Sequence, residues 1–320
     1  DDRILLMGGT VYKLKIYDYL FPWKFYRFLK TSRYDCVHSH IHFMSGYIML
    51  IAFISGVKIR ICHFRSADKR KSSFLRKCRD VLLKILIQVF STDIVAVNNY
   101  TMVNAWSKNW RNIKKCHVIV NGIVPLYSQL NSRSVVKDYN LKTNYKIIVH
   151  VGRFTEQKNH MKVINVFNEY YKMTKNCYLL LIGAKTNPEY KQIINSLKVL
   201  QCCEHVIFTG VRDDIGEILN IADAMIFPSL WEGLPGAVLE ALSAGLPVLA
   251  SDIGCHVDIK KDIPSLEILN LSYPDKKWAS KLDSIVKYSE RTKIYNEFIK
   301  SPYNIKTCVN SFEKLYNHNW

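Results

Sequence analysis

The chain has 320 residues, 48% of them apolar, and a formal net charge of +18, so it is longer than one hydrophobic core usually allows and two domains of about 150 residues each are expected. A mean hydropathy of −0.05 is ordinary for a soluble globular protein, and no stretch reaches the roughly 18 apolar residues that would span a bilayer. Residues 1–125 hold 21 Lys/Arg against 7 Asp/Glu, an excess that favours an anionic partner for the first half: a phospholipid surface, nucleic acid or a phosphorylated substrate.

Residues 1–10 (DDRILLMGGT) read in two ways. They fit a strand running into a Gly-Gly phosphate loop, or a helix end capped by Gly8-Gly9 with a strand over 10–14. A helix starting near Pro22 places Trp23, Tyr26 and Arg27 at neighbouring angles, a mixture that suits core packing or lipid head groups. Residues 34–40 (YDCVHSH) form a short strand entering a loop. His38 and His40 point the same way there, which suggests a metal, yet no third ligand is evident. A histidine at that place also serves as a structural strand end, or donates a hydrogen bond to a reacting group. A buried helix over 46–55 and a strand over 58–63 follow.

The next stretch, FRSADKRKSSFLRKCR, carries six basic residues between Lys69 and Arg79, with Asp68 and Asp80 as acidic neighbours. It reads as a solvated loop and helix start, or as a cationic surface for anionic lipid. No helix-turn-helix, RNA-recognition or zinc-finger pattern accompanies it, so nucleic acid is not an expected partner. An apolar helix over 81–90, a strand over 93–97, a helix over 101–110 and a strand over 117–120 complete the half. Asn121-Gly122-Ile123 is a turn, and the domain boundary is placed at 124.

After a polar helix and loop over 131–143, strand 146–151 (KIIVHV) runs into Gly152-Arg153-Phe154-Thr155-Glu156-Gln157-Lys158-Asn159. Two cations at a strand end and near a helix start can flank a diphosphate, and the glycine lets the backbone approach it. Strand 178–182 closes at Gly183-Ala184, with its helix over 188–200. Strand 206–208 leads to Thr209-Gly210-Val211-Arg212, and Asp213-Asp214 is expected to cap a helix ending at Ile221. The nine cysteines, Cys202-Cys203 among them, show no repeated metal spacing and read as free thiols in a reducing compartment.

The densest signal is 224–252, AMIFPSLWEGLPGAVLEALSAGLPVLASD. A buried strand over 224–227 meets the turn-rich loop Trp231-Glu232-Gly233-Leu234-Pro235-Gly236, then a helix stopping at Gly245 and a strand over 247–250. With a helix opening near Pro235, Glu240 falls in its second turn and Glu232 in the loop before it. Both carboxylates then face one cleft at the carboxyl end of the strand, where open α/β sheets bind ligands. Spacing alone fits two surface carboxylates beside a tight turn equally well. A strand over 266–269, helices over 278–288 and 290–300, and a last helix after Pro302 end the chain.

Residues 232–252 resemble the donor-binding signature of the retaining GT-B glycosyltransferases of family 4 (group 1): Glu, seven residues, Glu, then an Ala-Gly-x-Pro-Val strand. GRFTEQKN is similar to the family's Gly-Arg-x-x-x-x-Lys-Gly, with Asn159 in place of glycine. YDCVHSH resembles its Asp-x-x-His-x-His ending. NGIV resembles its Asn-Gly-Ile/Val-Asp linker, with Val124 in place of aspartate. The first half is similar to bacterial transferases of capsule, exopolysaccharide or O-antigen assembly.

This resemblance implies an α/β chain with the GT-B fold, two Rossmann-like domains with an interdomain cleft. Residues 1–124 would form the acceptor-side domain, 125–300 the nucleotide-sugar domain, and 301–320 a helix returning to the first. The family normally has an earlier β-unit, so residues 1–10 are expected to be a helix end, and Gly8 and Gly9 are not assigned to catalysis. By the same resemblance Glu232 contacts the donor sugar, Glu240 holds ribose hydroxyls, and the backbone at Gly233, Leu234 and Pro235 lies near sugar and diphosphate. Gly152, Arg153, Lys158 and Gly183 belong to the donor-phosphate side, and the main chain at Val211 meets the nucleobase. His40 lines the reaction face, with His63 and Arg65 as secondary candidates.

The implied reaction moves a sugar from a nucleoside diphosphate donor, a UDP-sugar in preference to a GDP-sugar, to a hydroxyl with retained configuration. The acceptor would be a glycan or an undecaprenyl-diphosphate-linked glycan. No carboxylate of the first half is placed as a nucleophile, which argues against a two-carboxylate site and fits front-face attack. No Asp-x-Asp element stands at a strand end, so no metal or other cofactor is expected. A cytoplasmic protein held peripherally on the inner face of a bacterial membrane is the expected setting. Two alternatives compete: a nucleotide-sugar 2-epimerase, and a nucleotide-sugar-binding partner subunit without activity of its own.

Overall fold

Uninterrupted apolar runs such as KIIVHV and AMIF suit parallel strands buried on both faces, and every strand pair found is parallel. The computed structural model describes residues 2–66, 73–127, 134–185 and 188–317. The cationic segment at 67–72 and the start of the polar stretch at 131–133 lie outside the described residues. The chain groups into two α/β units, Asp1–Ala96 with Ala105–Val118, and Val97–Asn104 with Ile119–Trp320.

In the first unit, α1 (Asp2–Leu6) ends at a turn in which Gly8 adopts a φ of 81°. That agrees with a helix end there, but residues 10–14 form no strand. Helix α2 (Phe21–Ser32) has its proline in the first turn, where the missing N–H costs nothing. Strand β1 (Cys36–Ser39), α3 (Ser45–Ile54), β2 (Ile59–Phe64), α4 (Phe74–Phe90), β3 (Asp93–Ala96) and β4 (Cys116–Val118) follow. The sheet order is β1-β2-β3-β4, with Phe21, Ile48, Met49 and Ile51 forming a core on the α2/α3 side. The expected continuous helix over 101–110 is not present. Asn98 caps the short α5 (Asn99–Thr101), which groups with the second unit, a π-helical turn spans Met102–Trp106, and a 3-10 turn covers Trp110–Asn112. Met102 and Trp106 are both buried in this turn.

The second unit contains α6 (Ser134–Asp138), β5 (Lys146–Val151), α7 (His160–Thr174), β6 (Cys177–Ile182), α8 (Pro188–Leu197) and β7 (Val206–Gly210). It continues with α9 (Ile215–Ile221), β8 (Ala224–Phe227), α10 (Gly236–Ser243), β9 (Val248–Ser251), α11 (Gly254–Asp262) and β10 (Glu267–Leu269). Helices α12 (Asp275–Tyr288), α13 (Arg291–Lys300) and α14 (Ile305–Tyr316) close the chain. Strand order β10-β9-β8-β5-β6-β7 is the doubly wound arrangement, whose direction of winding reverses between β5 and β8. Ile148, Val163, Phe167, Trp278 and Leu282 form the core under α7 and α12.

One local expectation fails in this unit. Asp214 stands at the N-cap of α9 but makes no capping bond. Arg212 takes its carboxylate instead, through contacts of 2.8 and 2.6 Å, because a bidentate charge-assisted pair outcompetes a single amide. At the far end, the Ile123 amide donates to the Tyr303 carbonyl and the Ile305 amide donates to the Ile123 carbonyl. All nine cysteines are free thiols. Among the described residues no helix is long and apolar enough to cross a membrane.

Candidate active site

The winding reversal leaves the loops after β5 and β8 side by side, and both candidate motifs occupy those loops. After β5, Gly152 lies against the stem of Lys158; a methyl on Gly152 would come within 3.0 Å of it. Gly183, after β6, has no room for any side chain, since a Cβ there would sit 2.0 Å from the Gly152 carbonyl oxygen. Backbone bonds tie the three turns together: the Gly152 amide donates to the Ile182 carbonyl, and the Gly183 amide to the Gly210 carbonyl. Asn159, in place of the family's glycine, adopts a left-handed φ of 52°. Asparagine tolerates that region better than other residues with side chains, and its amide donates to the Pro228 carbonyl at 3.1 Å, linking the two loops.

Across this junction Lys158 and Glu232 form a direct ion pair at 2.7 Å, with side chains only 16% and 7% exposed. The Lys158 ammonium also lies 4.5 Å from the centre of the Phe227 ring. The Gln157 amide donates to the second Glu232 oxygen at 3.0 Å and to the Trp231 carbonyl at 2.9 Å. Both carboxylate oxygens are therefore occupied by a chain segment more than seventy positions away. Nothing in the sequence pointed to Gln157, because an amide between two motif positions has no pattern of its own.

The remaining donor-side candidates are placed less tightly. Arg153 is exposed at the end of β5 and makes no ion pair among the described residues. Glu240 lies in the second turn of α10, half-buried and without an ion pair among the described residues, and burial raises its pKa above the ordinary carboxylate value. No side chain caps the start of α10, which leaves the amide end of that helix open to an anion. Gly233, Leu234 and Pro235 form the loop entering it. The Asn98 amide donates to the Gly233 carbonyl at 2.6 Å while its oxygen accepts from the Thr101 amide. Asn98 is a second residue the sequence did not reveal. Val211 is 73% exposed beyond the end of β7, so only its main chain offers fixed geometry. A cavity of about 310 Å³ beside Thr155, Asn159, His160, Glu189 and Leu230 borders the same loop. None of Arg153, Lys158, Glu232 or Glu240 lines it, so volume alone does not mark the site.

In the first unit, His40 stands just past the end of β1 and gathers with two other imidazoles. His38 Nε2 and His63 Nδ1 are 3.1 Å apart, and the nitrogens of His38, His40 and His63 all lie within 4.8 Å of one another. His63 is the third member that the sequence left without a partner, brought over because β2 pairs with β1. Burial, then the neighbouring His40 and Arg65, pushes His38 down to about 4. Burial, the other two imidazoles and Arg65 push His63 down to about 3. Burial and Arg65 also lower His40. Neutral imidazoles at this spacing can share a metal or donate and accept hydrogen bonds. The positive charge of Arg65 beside them opposes a cation and favours a hydroxyl or an anion.

With this geometry established, comparison with known proteins gives the class. Residues 131–301 match the family Glycosyl transferases group 1, and residues 5–125 match Glycosyltransferase Family 4. The capsular polysaccharide biosynthesis glycosyltransferase CapH of Staphylococcus aureus is 30% identical over 289 residues, which is 89% of this chain and 78% of CapH. The putative glycosyltransferase EpsF of Bacillus subtilis is 26% identical, over 99% of this chain and 85% of its own. A glycosyltransferase from Rickettsia africae superposes with a TM-score of 0.82 at 15% identity, covering 99% of this chain and 87% of that one. Anabaena HepE, solved in complex with UDP-glucose, gives 0.77 at 15% identity over 99% and 88%; at such identities the likeness speaks for the fold, GT-B. The chain belongs to the group 1 glycosyl transferases and is related to bacterial capsule and exopolysaccharide transferases.

Proposed function

We propose that this enzyme is a retaining glycosyltransferase that moves a sugar from a UDP-sugar to a hydroxyl of a glycan or lipid-linked glycan in bacterial surface polysaccharide assembly. The observation that carries the reading is the junction of Lys158 with Glu232 at the winding reversal of the second sheet, 2.7 Å apart and largely shielded from water. In this reading Arg153 and Lys158 hold the diphosphate and offset the charge growing on the leaving group. Glu232 orients the donor sugar, Glu240 accepts from ribose hydroxyls, and the main chain at Gly152, Gly183, Gly233, Leu234, Pro235 and Val211 completes the donor contacts. The open helix start at Gly236 and the half-buried carboxyl of Glu240 support these roles: one offers donors to a phosphate, the other an acceptor whose pKa burial raises.

His40 is assigned to the acceptor side, where a neutral imidazole receives or lends a hydrogen bond as the hydroxyl attacks. The step breaks the bond between anomeric carbon and diphosphate and forms one to the acceptor oxygen on the same face, the leaving phosphate taking the acceptor proton. No metal is invoked. That HepE was solved with UDP-glucose supports UDP over GDP for the donor. An undecaprenyl-diphosphate-linked acceptor and a peripheral position on the inner membrane face belong to the same proposal, supported by the positive excess of residues 1–125. Incubating the purified chain with UDP-sugars and GDP-sugars, alone and with lipid-linked acceptor, tests it. Donor hydrolysis or transfer that His40→Ala reduces is expected; nucleotide binding without turnover would favour the partner-subunit alternative.

A further inference from the structure

The two loops at the winding reversal are laced together residue by residue. The Asn159 amide donates to the Pro228 carbonyl at 3.1 Å, the Leu230 backbone amide to the Gln157 carbonyl at 2.9 Å, and Lys158 to Glu232 Oε1 at 2.7 Å. Gln157 reaches two consecutive residues with one side-chain nitrogen: Nε2 donates to the Trp231 carbonyl at 2.9 Å and to Glu232 Oε2 at 3.0 Å. Both hydrogens of that nitrogen are used, and both partners are acceptors only. The way the amide points is therefore fixed, because the flipped form would set its oxygen against two oxygens.

The residue type matters as much as the contact. Lys158 holds one oxygen of the Glu232 carboxylate, and in the transferase reading its ammonium is also drawn by the donor diphosphate. The Gln157 amide carries no charge for a phosphate to attract, so it stays on Glu232 when Lys158 is shared. It also leaves the negative charge of Glu232 in place, where a second cation would cancel it and a second carboxylate would repel it. With each oxygen tied once, a lone pair on each remains for sugar hydroxyls, in a direction set by the two donors. The Cys255 thiol of α11 lies within electrostatic reach of Glu232 from the other side. Burial, then the Glu232 charge, pushes that thiol up to about 12, so it adds no second negative charge.

We propose that Gln157 is a positioning residue for the donor sugar: it holds the Glu232 carboxylate at a fixed angle while Lys158 is shared with the diphosphate. The inference rests on the transferase reading above and deepens it at one residue. Steady-state kinetics with the UDP-sugar that wild type turns over, and calorimetry with UDP alone, test it on Gln157→Met and Gln157→Glu. Gln157→Met keeps the length of the side chain and removes both donors. It should lower kcat/KM for the UDP-sugar by about ten- to hundredfold, the scale of a hydrogen bond to a charged group. Its affinity for UDP, which lacks the sugar, should stay within about twofold of wild type. Gln157→Glu instead sets two carboxylates against each other across the 3.0 Å contact. Such a pair holds one proton up to a higher pH than either carboxylate alone, and the proton restores an O–H donor to Glu232. Lys158 offsets part of the repulsion, which places the change in the acid part of the range. Turnover of this variant relative to wild type should climb about tenfold as pH is lowered from about 8 to about 5.5, while the ratio for Gln157→Met stays flat.

Equal losses of UDP and UDP-sugar in Gln157→Met overturn the proposal, since Gln157 would then only be tying the loops together. A Gln157→Glu ratio that does not move with pH overturns it as well, because a purely structural glutamine predicts no such change. Wild-type turnover separates the two readings. Turnover that both variants leave unimpaired removes this inference alone, whereas wild type that turns over no UDP-sugar or GDP-sugar removes the transferase reading and this inference with it.

Discussion

The carboxyl edges of the two parallel sheets solve the same problem in opposite ways. At the second sheet, glycine turns locked to one another and a shielded Lys158–Glu232 pair fix charge in place before any ligand arrives. At the first, burial and Arg65 lower the pKa of three imidazoles, so the cluster offers hydrogen bonds while Arg65 supplies a positive charge beside it. A preset charged site suits a ligand whose shape and charge do not vary, such as a diphosphate. A neutral cluster suits a hydroxyl whose proton must leave. The difference teaches that rigidity and charge are concentrated where the leaving group is expected, and adaptable polarity where the acceptor is expected.

The comparison breaks most visibly at the ion pair. Lys158→Met and Glu232→Gln should each lower donor turnover by about 10²- to 10³-fold, the scale of removing one electrostatic contact to a transition state. Lys158→Met also leaves a shielded carboxylate without its cation, which costs about 3–5 kcal/mol of stability. The double variant should recover most of that stability and none of the activity. Chemical denaturation and turnover, measured on all three, check both statements; a double variant as unstable as Lys158→Met would mean the pair is not what stabilises the loop.

A smaller effect is expected from the turn. Gly183→Ala puts a methyl 2.0 Å from a backbone oxygen, which cannot swing aside as a side chain would. A loss of about 2 kcal/mol, with a raised KM for donor, is the expected outcome of thermal melts and kinetics. Gly236→Ala, with nothing within 4 Å, is the control.

Acid sharpens the contrast further. His38, His160 and His256 are held down to about 4 and His63 to about 3, each chiefly by burial. Unfolded imidazoles titrate near 6.5, so between the folded and unfolded values the unfolded chain binds more protons. Stability is therefore fully present above about pH 6.5 and is lost as pH falls toward 4. Melting temperature should fall as pH is lowered across that window. His63→Gln should flatten the slope without touching the donor edge; an unchanged slope would mean that His63 is not a group held neutral by the fold.

The loops after β5 and β8 were legible because a strand end and a turn residue are local signals, whereas spacing alone left Glu232 and Glu240 open and the family resemblance supplied their expected roles. Strands β5 and β8 matched their expected limits for the same reason, being apolar runs cut by Gly152 and Pro228. The sequence could not show groups that act across the fold. Gln157 matters only because β8 lies beside β5, and His63, a secondary candidate by the resemblance, was not legible as the partner of His38 because that needs β2 beside β1. The capping role expected of Asp214 failed because Arg212, two residues away, offered a stronger partner. The outward apolar face of α4, on which Val81, Leu82, Ile85 and Val89 are exposed, was not legible for a simpler reason. Periodicity reports that apolar residues share a face, not whether that face meets a core.

Asn98 gives the smallest and most selective effect. Its side chain is 2% exposed, and it divides its bonds between the Gly233 carbonyl and the Thr101 amide. Asn98→Ala removes both and takes the Asn98 donor from the part-buried Gly233 carbonyl, a cost of about 1–2 kcal/mol. Because Gly233 belongs to the loop and not to the reacting atoms, the loss should appear as a several-fold rise in donor KM with kcat nearly unchanged. Asn98→Asp keeps the acceptor for Thr101 but turns the donor to Gly233 into a second acceptor, so it should be worse for KM than alanine and better for the short helix. Equal KM for both variants would mean that the loop holds its shape without Asn98, and that the rigidity of the donor edge rests on its glycines and ion pair alone.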